Sequence, residues 1–133
     1  MFINRQRELD TLSNAFQHGA RVVVIHGLAG IGKTHLARAF ASLPIARRLF
    51  PGGITQTTYL PPEPILDALG RHFELPLSEP ALLVLDQAEL LDERVKQIVR
   101  DALHDEPQLH AILTSRIPID LLPGQTNVSL GGL

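Results

Sequence analysis

A glycine-rich segment in the first third of the chain carries the residue types that bind phosphate groups. Its three glycines let backbone N–H groups turn toward one point without a Cβ clash, which creates a cradle for an anion. A lysine and a threonine follow, and they can supply an ammonium for phosphate oxygens and a hydroxyl for Mg²⁺. The segment fits the pattern G-x-x-x-x-G-K-[ST] and comprises Gly27, Leu28, Ala29, Gly30, Ile31, Gly32, Lys33 and Thr34.

The neighbours of this segment match the context that a phosphate-binding loop requires. Arg21–His26 contains four consecutive β-branched residues, which predicts a strand buried on both faces. Lys33–Leu43 has the pattern of a helix, which Pro44 would end. A helix N-terminus favours anions, so this context disfavours the alternative of a glycine turn that binds no ligand. His35 follows the loop and could also touch phosphate, although a packing or surface role explains it better.

An acidic residue, Asp86, ends the apolar segment Ala81–Asp86, which predicts a second buried strand. A carboxylate at this place could hold Mg²⁺, usually through a water molecule, together with the Thr34 hydroxyl. The simpler alternative is a strand that happens to end in aspartate. The preceding phosphate loop favours the metal-binding role.

The residue after Asp86 is Gln87, where many ATPases carry a glutamate that orients the attacking water. Glu89 is the other candidate for that catalytic role. It could equally be a solvated residue in the first turn of a helix, where negative charge is favourable. If neither side chain activates water, ATP hydrolysis is expected to be slow.

A third apolar segment, His110–Thr114, predicts another buried strand and is followed by Ser115 and Arg116. In a parallel sheet, the carboxyl ends of the strands line the ligand crevice. Arg116 could therefore contact a γ-phosphate and distinguish ATP from ADP. The alternative is an ordinary surface arginine.

Strand and helix patterns alternate along the chain, which predicts an α/β doubly wound fold with a parallel sheet covered by helices on both faces. The remaining predicted helices are Arg5–Gln17, a helix that starts near Pro62, and Leu90–Leu103. The remaining predicted strands are Ile54–Leu60 and Asn127–Leu130. With 133 residues, one domain is expected, with residues 1–19 as an N-terminal segment and helix and residues 20–133 as the sheet core.

Composition narrows the class of protein. The hydrophobic fraction of 44% can form one core, and the net charge of -2, without a basic stripe, disfavours a nucleic-acid groove. The absence of cysteine excludes disulfides and thiolate metal sites. The apolar runs are too short to span a membrane, and no signal peptide is visible, so a cytoplasmic location is expected.

Several motifs occur in an order that resembles the nucleotide-binding core of the STAND ATPases, which include NB-ARC domains. The motifs are GLAGIGKT, LLVLDQAELL and AILTSR, and the opening FINRQREL looks like the F-V-G-R-E-x-E-L of that family. The resemblance implies a P-loop NTPase sheet of the ASCE type with the strand order 5-1-4-3-2. It also implies an ATP/ADP-dependent signalling switch with Mg²⁺, whose adenine base would lie near Ile3 and Arg5.

The sequence departs from the family pattern at Asn4, Gln6 and His35. It also ends near the point where the lid domain of the family would begin, so further domains of a longer chain, or self-association, are expected as partners.

No N-K-x-D motif is present, which favours adenine over guanine. The alternatives are a small P-loop kinase, which would need an arginine-bearing lid, and an interaction domain with a vestigial loop, which the intact loop disfavours.

Overall fold

Helices and strands alternate along residues 6–27, 32–58, 76–90 and 92–130, which are the residues that the computed structural model describes. The helices are α1 (Gln6–Gln17), α2 (Lys33–Ala41), α3 (Pro44–Leu49) and α4 (Glu93–Asp105), and a 3-10 helix spans Ala88–Leu90. The strands are β1 (Val22–His26), β2 (Ile54–Thr58), β3 (Ala81–Asp86), β4 (Leu109–Ser115) and β5 (Thr126–Ser129). The helix predicted to start near Pro62 lies outside the described residues.

The strands form one sheet in the order β2-β3-β4-β1-β5, and every pairing in it is parallel. Read from the other edge, this is the order 5-1-4-3-2 that the resemblance implied, so the P-loop NTPase fold is confirmed. Strand β1 lies between β4 and β5, with Val24 in register with Leu113 on one side and Asn127 on the other. No helix of the described residues is long and apolar enough to cross a bilayer.

Both faces of β1 are buried, as its run of β-branched residues predicted. Val22 and Val24 pack into a core with α4, whereas Val23 and Ile25 pack into a second core with α1, α2 and α3. All four side chains are inaccessible to solvent. Burial of each such side chain contributes about 1.5–3 kcal/mol, so these two cores hold the strand firmly beneath the loop that follows it.

Helix α2 is shorter than the sequence pattern indicated, and a separate helix follows it. The prediction that the helix runs to Leu43 is wrong, because it ends at Ala41 with Ser42 as its C-cap. Pro44 does not merely stop α2; it occupies the first turn of α3. Proline has no N–H to donate and its φ suits a helix, so it is well tolerated at a helix start.

Helix α4 begins at Glu93, so the prediction of a helix from Leu90 is wrong by three residues. Asp92 is the N-cap, and its Oδ1 accepts a hydrogen bond of 2.9 Å from the Val95 N–H. A carboxylate is a strong N-cap because it satisfies an N–H that has no partner within the helix. The preceding residues form the 3-10 helix that places Glu89 near the end of β4.

His110 lies at the amino end of β4 and packs against the rings of Phe16 and Phe50, whose centroids are 6.0 and 5.3 Å from its own. Its Nδ1 donates to the Gln108 carbonyl over 2.9 Å. Burial lowers the pKa of His110, because the charged imidazolium loses hydration there. The folded protein therefore favours the neutral ring.

We expect the free energy of unfolding to fall as the pH drops below about 6.5, the pKa of histidine in an unfolded chain. Below that pH the unfolded state takes up a proton that His110 in the folded state resists. The His110→Phe variant keeps a ring against Phe16 and Phe50 but cannot titrate, so it should lose less stability over the same range. Urea unfolding at pH 7.5 and 5.5 measures this, and equal losses in both proteins would contradict it.

Candidate functional site

The carboxyl ends of β1, β3 and β4 meet at one edge of the sheet, and the phosphate-loop pattern begins there. Gly27 follows β1, and its N–H donates to the Ser115 carbonyl at the end of β4 over 3.1 Å. Gly32 is the N-cap of α2 and has a φ of 96°, a left-handed conformation that favours glycine. The loop therefore starts on the sheet and ends at a helix N-terminus. Leu28, Ala29, Gly30 and Ile31, predicted to bind the cofactor, lie outside the described residues.

Lys33 is the first residue of α2 and is buried, with 9% of its surface exposed. Its Nζ donates a hydrogen bond of 2.7 Å to the Gly27 carbonyl, so the ammonium lies at the start of the loop. The helix dipole adds partial positive charge at the same place. This end of α2 thus concentrates positive charge where an anion could bind.

Thr34 and Asp86, which are 52 positions apart in sequence, are in direct contact. The Thr34 hydroxyl donates to Asp86 Oδ1 over 2.8 Å. The Thr114 hydroxyl donates to the same carboxylate oxygen and accepts a hydrogen bond of 3.0 Å from the Gln87 N–H. Three elements, α2, β3 and β4, therefore converge on one carboxylate.

The donor set around Asp86 fits a magnesium ion. Mg²⁺ prefers oxygen ligands and usually takes only one or two carboxylates, with phosphate and water oxygens completing its shell. Because the Thr34 proton is directed at Asp86, the lone pairs of the Thr34 oxygen remain available to a cation. Among the described residues there is no cluster of three His, Cys, Asp or Glu side chains, so an all-protein metal cage is not found there.

The turn after β3 brings Glu89 to the end of β4. Gln87 has a φ of 58°, uncommon for a residue other than glycine, and its side chain is exposed. Glu89 is half-buried, and its Oε1 accepts a hydrogen bond of 3.1 Å from the Arg116 backbone N–H. The Arg116 side chain is exposed at the same edge of the sheet.

The structure thus brings together five of the residues singled out from the sequence: Lys33, Thr34, Asp86, Glu89 and Arg116. His35 is the third residue of α2 and is exposed. Ile3 and Arg5, expected near the adenine, lie outside the described residues.

Thr114 belongs to the site but was not singled out from the sequence. The only signal was the pair of hydroxyls that ends the third strand, and it did not indicate which neighbour they would contact. Thr114 is buried, with 1% of its surface exposed. Its hydroxyl both holds Asp86 and satisfies the Gln87 N–H, so it links the metal-binding carboxylate candidate to the turn after it.

The Thr114→Val variant should lower the free energy of unfolding by about 1–3 kcal/mol, because the two hydrogen bonds of the buried Thr114 hydroxyl, to Asp86 and from the Gln87 N–H, are lost. Valine has nearly the shape of threonine, so packing changes little. Thr114→Ser keeps the hydroxyl and should retain its two hydrogen bonds. Denaturant unfolding of the three proteins tests this, and a valine variant as stable as the wild type would contradict the role of the hydroxyl.

Comparison with known proteins identifies the family of this chain and solved structures that share its fold. A family model described as an AAA ATPase domain matches residues 1–76, which include the whole phosphate-loop pattern. No curated protein sequence matches the chain.

Several solved structures share the fold at low sequence identity. PCH-2 of C. elegans has a TM-score of 0.60 and 13% identity, and the match covers 94% of this chain and 42% of that one. A RuvB variant of Thermotoga maritima has a TM-score of 0.59 and 20% identity, with 97% and 45% covered. A Drosophila ORC structure, bound to AT-rich DNA and Cdc6, has a TM-score of 0.60 and 11% identity, with 84% and 46% covered. The chain thus spans less than half the length of each of these proteins.

Proposed function

The chain belongs to the AAA ATPase domain family, and from that premise we propose that it binds ATP or ADP with Mg²⁺ and acts as the core of a STAND-type signalling switch. The contact between Thr34 Oγ1 and Asp86 Oδ1, at 2.8 Å, is the observation that carries the proposal. It places a hydroxyl and a carboxylate side by side next to Lys33. Those are the groups that a magnesium–nucleotide complex needs.

Each side chain has a distinct role in the proposal. The loop from Gly27 to Gly32 would surround the phosphates, and Lys33 would donate to the β- and γ-phosphate oxygens. Thr34 and Asp86 hold Mg²⁺, which would neutralise negative charge on the phosphates. By resemblance to the STAND ATPases, His35 would border the phosphates, and Ile3 and Arg5 would be near the base.

Slow hydrolysis follows from the side chains next to Asp86. Gln87 has an amide, which cannot take a proton from water as a carboxylate can. Glu89 is the nearest acid along the chain, and one of its oxygens already accepts the Arg116 N–H. A nucleotide that is hydrolysed slowly suits a switch, because the bound state persists long enough to be recognised.

The switch would act on something outside the sheet core. We propose one cytoplasmic nucleotide-binding domain, with residues 1–19 on the adenine side and residues 20–133 as the core. Its partners would be further domains of a longer chain or a second copy of this one, and neither a membrane nor nucleic acid would contact this segment. The net charge of -2 supports the proposal that nucleic acid does not bind this segment.

The test is titration calorimetry with MgATP and MgADP on the wild type and on Arg116→Ala. If Arg116 contacts the γ-phosphate, the variant should lose the preference for ATP, a change of about tenfold or more, because charge-assisted hydrogen bonds contribute roughly 1.5–3 kcal/mol. Arg48→Ala is the matched control, since Arg48 is exposed in the last turn of α3. A preference that survives in Arg116→Ala would contradict the sensor role, and a wild type that binds neither nucleotide would contradict the proposed function.

A further inference from the structure

A hydrogen bond joins the side chain of Glu89 to the backbone N–H of Arg116, and the two side chains do not form an ion pair. The bond joins Glu89 Oε1 to the Arg116 N–H over 3.1 Å. From this contact we infer that Glu89 is a positioning residue, which holds the segment that carries Arg116 against the 3-10 helix. This inference rests on the proposed function, in which Arg116 senses the γ-phosphate.

Hydrogen bonds from Ser115 and from Glu89 hold the backbone around Arg116. The Ser115 hydroxyl donates to the Ile117 carbonyl over 2.6 Å and accepts from the Ile117 N–H over 3.2 Å, which closes a tight turn around Arg116. Ser115 is fully buried and lies in register with His26 at the end of β1. The Glu89 carboxylate accepts the remaining hydrogen bond, from the N–H of Arg116 itself.

The side chain of Arg116, unlike its backbone, is not held in place. It is exposed, and within the described part of the chain its guanidinium makes no hydrogen bond or ion pair. A long arginine side chain has many rotamers, so its reach depends on where its backbone is fixed. A fixed backbone lowers the ordering cost when the guanidinium meets an anion, which is a form of preorganisation.

Loss of the Glu89 carboxylate would remove one restraint on the Arg116 backbone and leave the hydrogen bonds between Ser115 and Ile117. Residues 116–118 are all exposed, and Ile117 is 57% exposed, so little packing would hold them in place. The Arg116 N–H would then donate to water. Because the backbone would be less fixed, the guanidinium would sample a broader set of positions before it meets the phosphate. The expected consequence is weaker discrimination between ATP and ADP, with little change in the affinity for ADP.

Substitution of Glu89 by glutamine distinguishes a positioning residue from a catalytic base. Glu89→Gln keeps an oxygen that can accept the Arg116 N–H, but an amide cannot act as a base. Glu89→Ala removes both abilities. If Glu89 is a positioning residue, glutamine should preserve the preference for ATP that alanine loses.

The experiment measures the ratio of MgATP to MgADP affinity by calorimetry, and the exchange rate of the Arg116 amide proton by NMR without nucleotide. We expect Glu89→Gln to keep both close to wild type. Glu89→Ala should lower the ratio roughly threefold or more and speed the amide exchange. The double variant Glu89→Ala/Arg116→Ala should lose no more than Arg116→Ala alone, because both changes act through one side chain.

A Glu89→Ala variant that keeps the wild-type ratio, while Arg116→Ala loses it, would overturn the inference and leave the proposed function intact. Equal losses in the glutamine and alanine variants would also overturn it, because the charge of Glu89 would then matter and not its hydrogen bond. Two other outcomes are distinguishable from these. If Arg116→Ala itself leaves the ratio unchanged, the sensor role of Arg116 fails and the positioning role fails with it. If the wild type binds neither nucleotide, the proposed function fails.

Discussion

Replacing Lys33 by alanine is expected to weaken MgATP binding by at least about 100-fold, because two charge-assisted hydrogen bonds to phosphate oxygens are lost. The fold should survive. Lys33 is the first residue of α2, and the cores on either side of the sheet are built from other residues. Calorimetry gives the affinity, and circular dichroism with thermal unfolding reports on the fold.

A second variant, Lys33→Met, separates charge from packing. Lys33 is buried, so its aliphatic stem fills space that alanine would leave open. Methionine keeps most of that stem without the ammonium, and it should lose MgATP affinity as fully as alanine does. Near-normal binding by the methionine variant would contradict the role of the charge.

Replacing Gln87 by glutamate is expected to raise the rate of ATP hydrolysis on the order of 100-fold, since a positioned general base contributes about 10²–10⁴-fold. Glutamate has the shape of glutamine, so the turn with its φ of 58° and the bond from the Gln87 N–H to Thr114 should be retained. The new carboxylate would directly follow Asp86. Steady-state phosphate release measures the rate.

Two controls accompany this prediction. Gln87→Ala should hydrolyse ATP no faster than the wild type, because it adds no base. The double variant Lys33→Ala/Gln87→Glu should be inactive, which excludes a contaminating ATPase as the source of phosphate. A Gln87→Glu variant that gains no activity would mean that water is not activated from this position, and the slow rate would need another cause.

The sheet was the most predictable part of the fold. The segment Ala81–Asp86 is a strand with the predicted bounds, and the β-branched run in β1 is buried as expected. Strands buried on both faces leave a continuous apolar run in sequence, and a short run rich in β-branched residues favours a strand over a buried helix. The order of the strands came from the resemblance to the STAND ATPases and not from any local pattern.

Helix boundaries were less predictable because the same residue can end one helix or begin another. Pro44 was interpreted only as an end to α2, but it also begins α3. Leu90 fits the apolar stripe of the helix that follows, yet the chain enters α4 through Asp92, whose capping bond decides the boundary. Competition between a cap and a hydrophobic stripe depends on packing that the sequence does not display.

In the candidate site, a short motif identified Lys33 and Thr34, and a strand end identified Asp86. Their convergence was expected, because parallel strands end at the same edge. The contacts of Thr114 and of Glu89 were not expected. Each joins the turn after β3 to the end of β4 across 27 or more positions, and such pairings depend on the register between the two strands.

The most direct test of the central claim locates the metal–nucleotide complex on the protein. Mn²⁺ accepts the same oxygen ligands as Mg²⁺ and broadens nearby NMR signals. With ATP present, substoichiometric Mn²⁺ should broaden the amide signals of Thr34, Gln87 and Ser115 and spare those of Val22 and Leu109, at the amino ends of β1 and β4. Broadening confined to the amino ends, or none at all with ATP in excess, would contradict a nucleotide site at the carboxyl edge of this sheet.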